Sequence, residues 1–109
     1  MIFMLLMETI VCSAKEGVEA RMMRMLKTRQ EFKRRQIGCV AAWLGTAPDN
    51  SNLVLVQTVF DSASSWKSIS ELVQMTLDAE DGGIESLLLG PPLVGMFQVD
   101  PNDLNSLVK

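Results

Sequence analysis

The chain of 109 residues has no histidine, no tyrosine, only two cysteines and 6% aromatic residues. Without histidine there is no Ser-His-Asp or Cys-His nucleophile pair, no imidazole metal ligand and no histidine-ligated haem. Cys12 and Cys39 are too few for a four-cysteine zinc site or a disulfide framework, and they read as small buried hydrophobes. A long apolar run is also missing. Met1 to Cys12 is apolar, but Glu8 and Thr9 interrupt it, and a membrane span needs about 20 residues. No Lys or Arg precedes that run and no small-x-small cleavage site follows, so a signal peptide is not expected. These absences predict a cytoplasmic protein with no membrane contact, no metal and no cofactor.

What is present is 48% hydrophobic and 21% charged, the balance of an ordinary globular domain. Residues 2–11 are nearly all apolar and predict a first strand buried on both faces. Ser13 and Glu16 have the spacing of a capping box, so a helix is expected from Ala14 to Gln36. Its apolar stripe would be Val18, Met22, Met25, Leu26 and Phe32, with Gly38 ending it. Cys39 to Leu44 reads as a second strand. Residues 45–52 read as a hairpin loop, and Leu53 to Phe60 as a third strand. Asp61 or Ser62 would cap a second helix, with Trp66, Ile69, Val73 and Leu77 as its seam, ending near Gly82-Gly83. One helical turn within residues 84–89, a break at Gly90-Pro91-Pro92 and a fourth strand from Leu93 to Val99 complete the domain. It spans residues 1–100, with 101–109 as a tail in which Leu104, Leu107 and Val108 could form a short helix.

The order βαββαβ is that of a ferredoxin-like α+β domain: an antiparallel four-stranded sheet with two helices on one face. Two helices cover one face only, yet strands 1 and 3 are apolar on both. A monomer would expose more contiguous apolar sheet than soluble monomers do. A homodimer closed through the open sheet face resolves this and creates a setting for a small-molecule pocket.

Seven of the ten basic residues fall between Arg21 and Arg35. The net charge is −3 and the pI about 4.8, so this cluster reads as a solvated helix face rather than a nucleic-acid surface. Strand 3 also lacks the aromatic signature of RNA-recognition domains that share this strand order. Nucleic acid is therefore not an expected partner.

The segment from Val59 through Asp61 to Trp66 resembles the strand-to-helix junction of the antibiotic-biosynthesis-monooxygenase superfamily, the dimeric α+β barrel proteins. Gly90-Pro91-Pro92 before a short last strand resembles that superfamily too. The resemblance implies a homodimer with a pocket between sheet and helices, and a relationship to cofactor-free monooxygenases. The chain departs from the pattern at Ile69 and Ser70, where members often carry a histidine, and at Gln57, where an acidic residue is frequent.

Four residues are candidates for binding a substrate. Gln57 is a polar group in an apolar strand. Trp43 and Phe60 offer aromatic faces. Glu8 is a carboxylate beside a buried strand, either a base raised by burial or the partner of a basic side chain. No catalytic residue is assigned. Two readings stand: a dimeric, cofactor-free monooxygenase-like enzyme acting on a hydrophobic small molecule, or a non-enzymatic ligand-binding or interaction module of the same fold.

Overall fold

A computed structural model describes residues 3–106. Met1, Ile2, Leu107 and Val108, which the sequence assigns to the first strand and the tail, lie outside the described residues. Four strands form one antiparallel sheet: β1 (Leu5–Ser13), β2 (Cys39–Ala47), β3 (Asn50–Phe60) and β4 (Leu93–Val99), in the order β2-β3-β1-β4. Helix α1 (Glu19–Arg34) joins β1 to β2. Helix α2 (Ala63–Val73) follows β3, widens into a π-helical turn at Gln74–Asp78 and closes with Ala79–Asp81. The expected ferredoxin-like α+β architecture is the one found. A short helix, Pro101–Ser106, occupies part of the expected tail.

The helix layer packs through Met22 and Leu26 onto Cys12, Val54 and Val56 of the sheet, with Leu87 and Leu88 closing the end. These are aliphatic or thiol side chains, and their burial is the main stabilising term at this end. Ser62 caps α2 as expected: its hydroxyl accepts the Ser65 N–H at 3.1 Å. Ile69 and Val73 of the expected seam are buried. Gly82 ends the helix with a positive φ of 85°, and its N–H donates to the Asp78 carbonyl at 2.8 Å.

Three expectations are corrected. The capping box at Ser13 does not form. Ser13 belongs to β1, Ala14 bridges to Leu88, and the Leu89 N–H donates to the Ser13 carbonyl at 2.8 Å. Strand pairing captures the residues that a local cap would have used, and α1 starts five residues later than expected, at Glu19. The hairpin loop is shorter than residues 45–52, because β2 and β3 stay paired up to a turn at Pro48-Asp49. The basic face of α1 is not wholly solvated. Arg29 is buried, and its guanidinium pairs with Asp78 at 2.6 Å and Asp81 at 2.8 Å.

Gly38 links α1 to the sheet at a φ of +101°, and a Cβ there would run into the Ser65 side chain. Gly38→Ala should therefore cost about 2 kcal/mol or more in urea unfolding, since it meets both strain and a clash. An unchanged midpoint would show that this junction relaxes freely.

Candidate functional site

Two neighbouring cross-strand rows carry the polar residues of the sheet. One row runs Ala42–Thr58–Glu8–Met96 and the next runs Trp43–Gln57–Thr9–Gly95. Side chains alternate along a strand, so adjacent rows point to opposite faces. The Glu8 row faces the helices, because its carboxylate Oε2 accepts the indole N–H of Trp66 on α2 at 2.9 Å. Phe60, two residues beyond Thr58, is on the same face and fully buried. Gln57 and Trp43 are on the open face, both half-buried. The Gln57 amide donates to the Thr9 hydroxyl across the strands at 3.3 Å. The four candidate residues thus divide into two pairs, Glu8 with Phe60 and Gln57 with Trp43, separated by the thickness of the sheet.

The helix face holds polar groups that the apolar periodicity of the sequence did not signal. After Met22 and Leu26, the buried stripe of α1 continues with Arg29 and Gln30. The Gln30 amide donates to the backbone carbonyls of Trp43 at 3.1 Å and Gln57 at 2.8 Å, and to the Thr58 hydroxyl at 3.3 Å. It fastens α1 to two strands at once. The Gln30 side-chain carbonyl is buried with no partner among the described residues, which is costly for a polar atom. Lys33, one turn on, is half-buried and donates to the same Thr58 hydroxyl at 3.4 Å. Burial pushes the Lys33 amine below the ordinary lysine value; Glu8 and Cys39 oppose that shift, Arg29 adds to it, and Asp78 opposes it.

Glu8, expected to pair with a basic side chain at a strand edge, lies on an inner strand and is held by an indole instead. Trp66, expected to be core filling, is a hydrogen-bond donor to the site. Only a close look at which polar residues share the α1 period with Met22 and Leu26 could have shown Arg29, Gln30 and Lys33 in advance. Burial raises both thiols above the ordinary range, and Cys12 and Cys39 are free. A cleft of about 440 Å³ opens where α1 meets the edge strand β2, lined by Lys27, Gln30, Glu31, Arg34, Trp43 and Leu44. Among the described residues, no group of three Cys, Asp or Glu side chains is placed to hold a metal ion. No helix there is long and apolar enough to cross a membrane.

The antiparallel four-stranded sheet with its helices packed on one face is the fold of the antibiotic-biosynthesis-monooxygenase-like proteins. Solved structures bear this out. A protein from Nitrosomonas europaea, provisionally assigned as an antibiotic biosynthesis monooxygenase, superposes with a TM-score of 0.73 at 8% identity, covering 85% of this chain and 88% of its own. The cofactor-independent oxygenase SnoaB from Streptomyces nogalater gives 0.71 at 17% identity over 85% and 90%. A protein from Pseudomonas aeruginosa gives 0.71 at 19% over 92% and 96%. At these identities the likeness is one of fold. No family model matches the sequence, and no curated protein matches it either.

The Arg29 cluster makes a prediction about stability and acid. Burial alone would lower the Arg29 guanidinium, and its bonds to Asp81 and Asp78 reverse that. The Arg29 hydrogen bond holds the Asp81 carboxyl below the ordinary aspartate range. A depressed acid stabilises the fold above its unfolded value, about 3.9, and that contribution is lost as pH falls through the lower folded value. Arg29→Met should cost about 1–2 kcal/mol at neutral pH, because both aspartates are about one-third exposed and can recover water. Its urea midpoint should also fall less between pH 5 and pH 3 than that of the parent chain. Parallel pH profiles for the two would exclude this pairing as a source of acid sensitivity.

Proposed function

We propose that this protein is a homodimer closed through its open sheet faces into an α+β barrel, and that each subunit binds a hydrophobic small molecule between sheet and helices as a cofactor-independent monooxygenase. The observation that carries the reading is the gathering of Glu8, Thr58, Lys33 and Trp66 under the helices, with Trp66 bonded to Glu8 and Lys33 to Thr58. In this reading Glu8 takes a proton from the bound substrate, and Phe60 and Trp66 bound its apolar walls. The substrate carbanion then reduces dioxygen directly. In this reading Gln57 and Trp43, on the opposite face, line the barrel interior that the second subunit closes over. The fold neighbour SnoaB, a cofactor-independent oxygenase, supports the reaction class. The reading includes a cytoplasmic location, in keeping with two unbridged cysteines.

Support for the dimer comes from the open face. Met7, Val11, Leu53 and Leu55 are half-buried there, while Leu93 and Phe97 stand 74% and 52% exposed. A second copy is a self-complementary cover for such a face.

Dimerisation is checked by sedimentation velocity at micromolar concentration. The parent chain should sediment as a dimer, and Leu55→Lys should shift it to monomer by placing a charge in the centre of the face. A parent chain that is a stable monomer overturns the dimer. Activity is checked with an anthrone under air: oxygen uptake should accompany conversion of its methylene to a quinone carbonyl, with release of water, and Glu8→Gln should slow it about a hundredfold. Binding of the anthrone without oxygen uptake would instead identify a ligand-binding module.

A further inference from the structure

Among the charged groups inside the helix layer, Lys33 is the one without a matched partner. Arg29 is paired with two carboxylates. Glu8 is held by the Trp66 indole. The Arg34 side chain, nearer the surface, donates to the Ala42 carbonyl at 2.7 Å. Lys33 makes no ion pair among the described residues, and its bond to Thr58 is long, at 3.4 Å. An ammonium has three donors, and a half-buried one left this poorly satisfied is costly.

The neighbours define what could satisfy it. Thr58 is fully buried, and Glu8 stands directly opposite it in the β1–β3 register, so the carboxylate and the amine flank one hydroxyl. The charged groups bearing on Lys33 are Glu8 from β1, Cys39 from β2, Arg29 from α1 itself and Asp78 from the π-helical turn. With Asp81, which shares Arg29 at the surface end, these described groups amount to two cations, Lys33 and Arg29, and three carboxylates, Glu8, Asp78 and Asp81. An added anion would worsen that imbalance, whereas a neutral carbonyl group would not. Desolvation also favours the neutral, nucleophilic amine.

We propose that Lys33 is a carbonyl-condensing amine, which forms an imine with a neutral aldehyde or ketone bound between α1 and the sheet. The inference rests on the binding site proposed above between sheet and helices and names the class of ligand that site takes. The Lys33 nitrogen attacks the carbonyl carbon, and the C=O π electrons move to oxygen. A proton passes from nitrogen to oxygen to give the carbinolamine. The Glu8 carboxylate takes the remaining proton from nitrogen and passes it to the hydroxyl, which leaves as water as the C=N bond forms, so Glu8 ends as it began. No oxidant or reductant is consumed. Cys39, the other nucleophile nearby, is a poorer candidate because burial holds its thiol protonated.

Reductive trapping tests this. The intact protein is mixed with benzaldehyde and sodium cyanoborohydride at neutral pH, and the benzylated lysines are located by peptide mass spectrometry. Lys33 should be modified roughly tenfold faster than Lys15, Lys27 or Lys67, since binding raises the local aldehyde concentration. Lys33→Arg, which keeps the charge and should melt like the parent, should lose this fast phase. Glu8→Gln, which keeps an acceptor for the indole, should slow it roughly tenfold or more. Modification of Lys33 no faster than the exposed lysines, or a fast phase that survives Lys33→Arg, overturns the inference. Oxygen uptake in the anthrone assay without fast trapping leaves the oxygenase reading standing and removes this one. Fast trapping at Lys33 without oxygen uptake does the reverse.

Discussion

The spacing between helix and sheet in this molecule depends on Gln30. Its amide reaches from α1 to backbone carbonyls on both β2 and β3, and the residue is 1% exposed. A methyl-lined helix face can slide by a ridge at small cost, because dispersion is weak per contact and non-directional. An amide bonded to two adjacent strands allows no such slip: a shift of about 1.5 Å along the helix, one residue of rise, would break those bonds in a buried setting. Met22 and Leu26 are the buried apolar side chains of α1, and Gln30 sets where on the sheet they pack.

That constraint has a consequence for the rest of α1. Once Gln30 is seated over β2 and β3, Arg29 beside it points toward α2 and Lys33 falls over Thr58. The π-helical turn then becomes intelligible. It brings Asp78 and Asp81 to one guanidinium, so a buried cation is neutralised by the helix that packs next to it. Wide turns of this kind are often retained at functional positions.

Much of this architecture is readable from the residues, and the failures have physical causes. The alternation of strands and helices follows from apolar runs and helical seams, and the Ser62 cap follows from a hydroxyl placed before Trp66. The Ser13 motif is equally good locally, but Ala14 and Leu88 compete for the same backbone and tertiary pairing wins. The polar stripe of α1 is illegible for a different reason. A template that searches for apolar side chains at helical period stops at Leu26 and resumes at Phe32, passing over Arg29 and Gln30, whose burial is sustained by hydrogen bonds rather than hydrophobicity. The candidate site suffers from parity. Glu8 and Gln57 look alike as lone polar residues in apolar strands, yet Glu8 pairs with Thr58 while Gln57 pairs with Thr9. That difference of one position sends them to opposite faces, and it appears only when the strand register is known.

The two faces therefore carry different physics. Charge is confined to the helix side, where indole, amide and guanidinium groups are close enough to satisfy it. Among the described residues, the open side carries the Gln57 to Thr9 link with Trp43, Phe97 and aliphatic side chains around it. In the proposed function, that division assigns association to one face and chemistry to the other. Hydrophobic association needs no directional partners and tolerates the aliphatic row. The proposed proton transfer needs a carboxylate and an amine held in place, and among the described residues of the sheet and its helices these are Glu8 and Lys33 on the side pinned by Gln30. In the proposed dimer, a substitution on the open face should change assembly before it changes the environment of Glu8 and Lys33, because the sheet between them is held by its own ladder of backbone bonds.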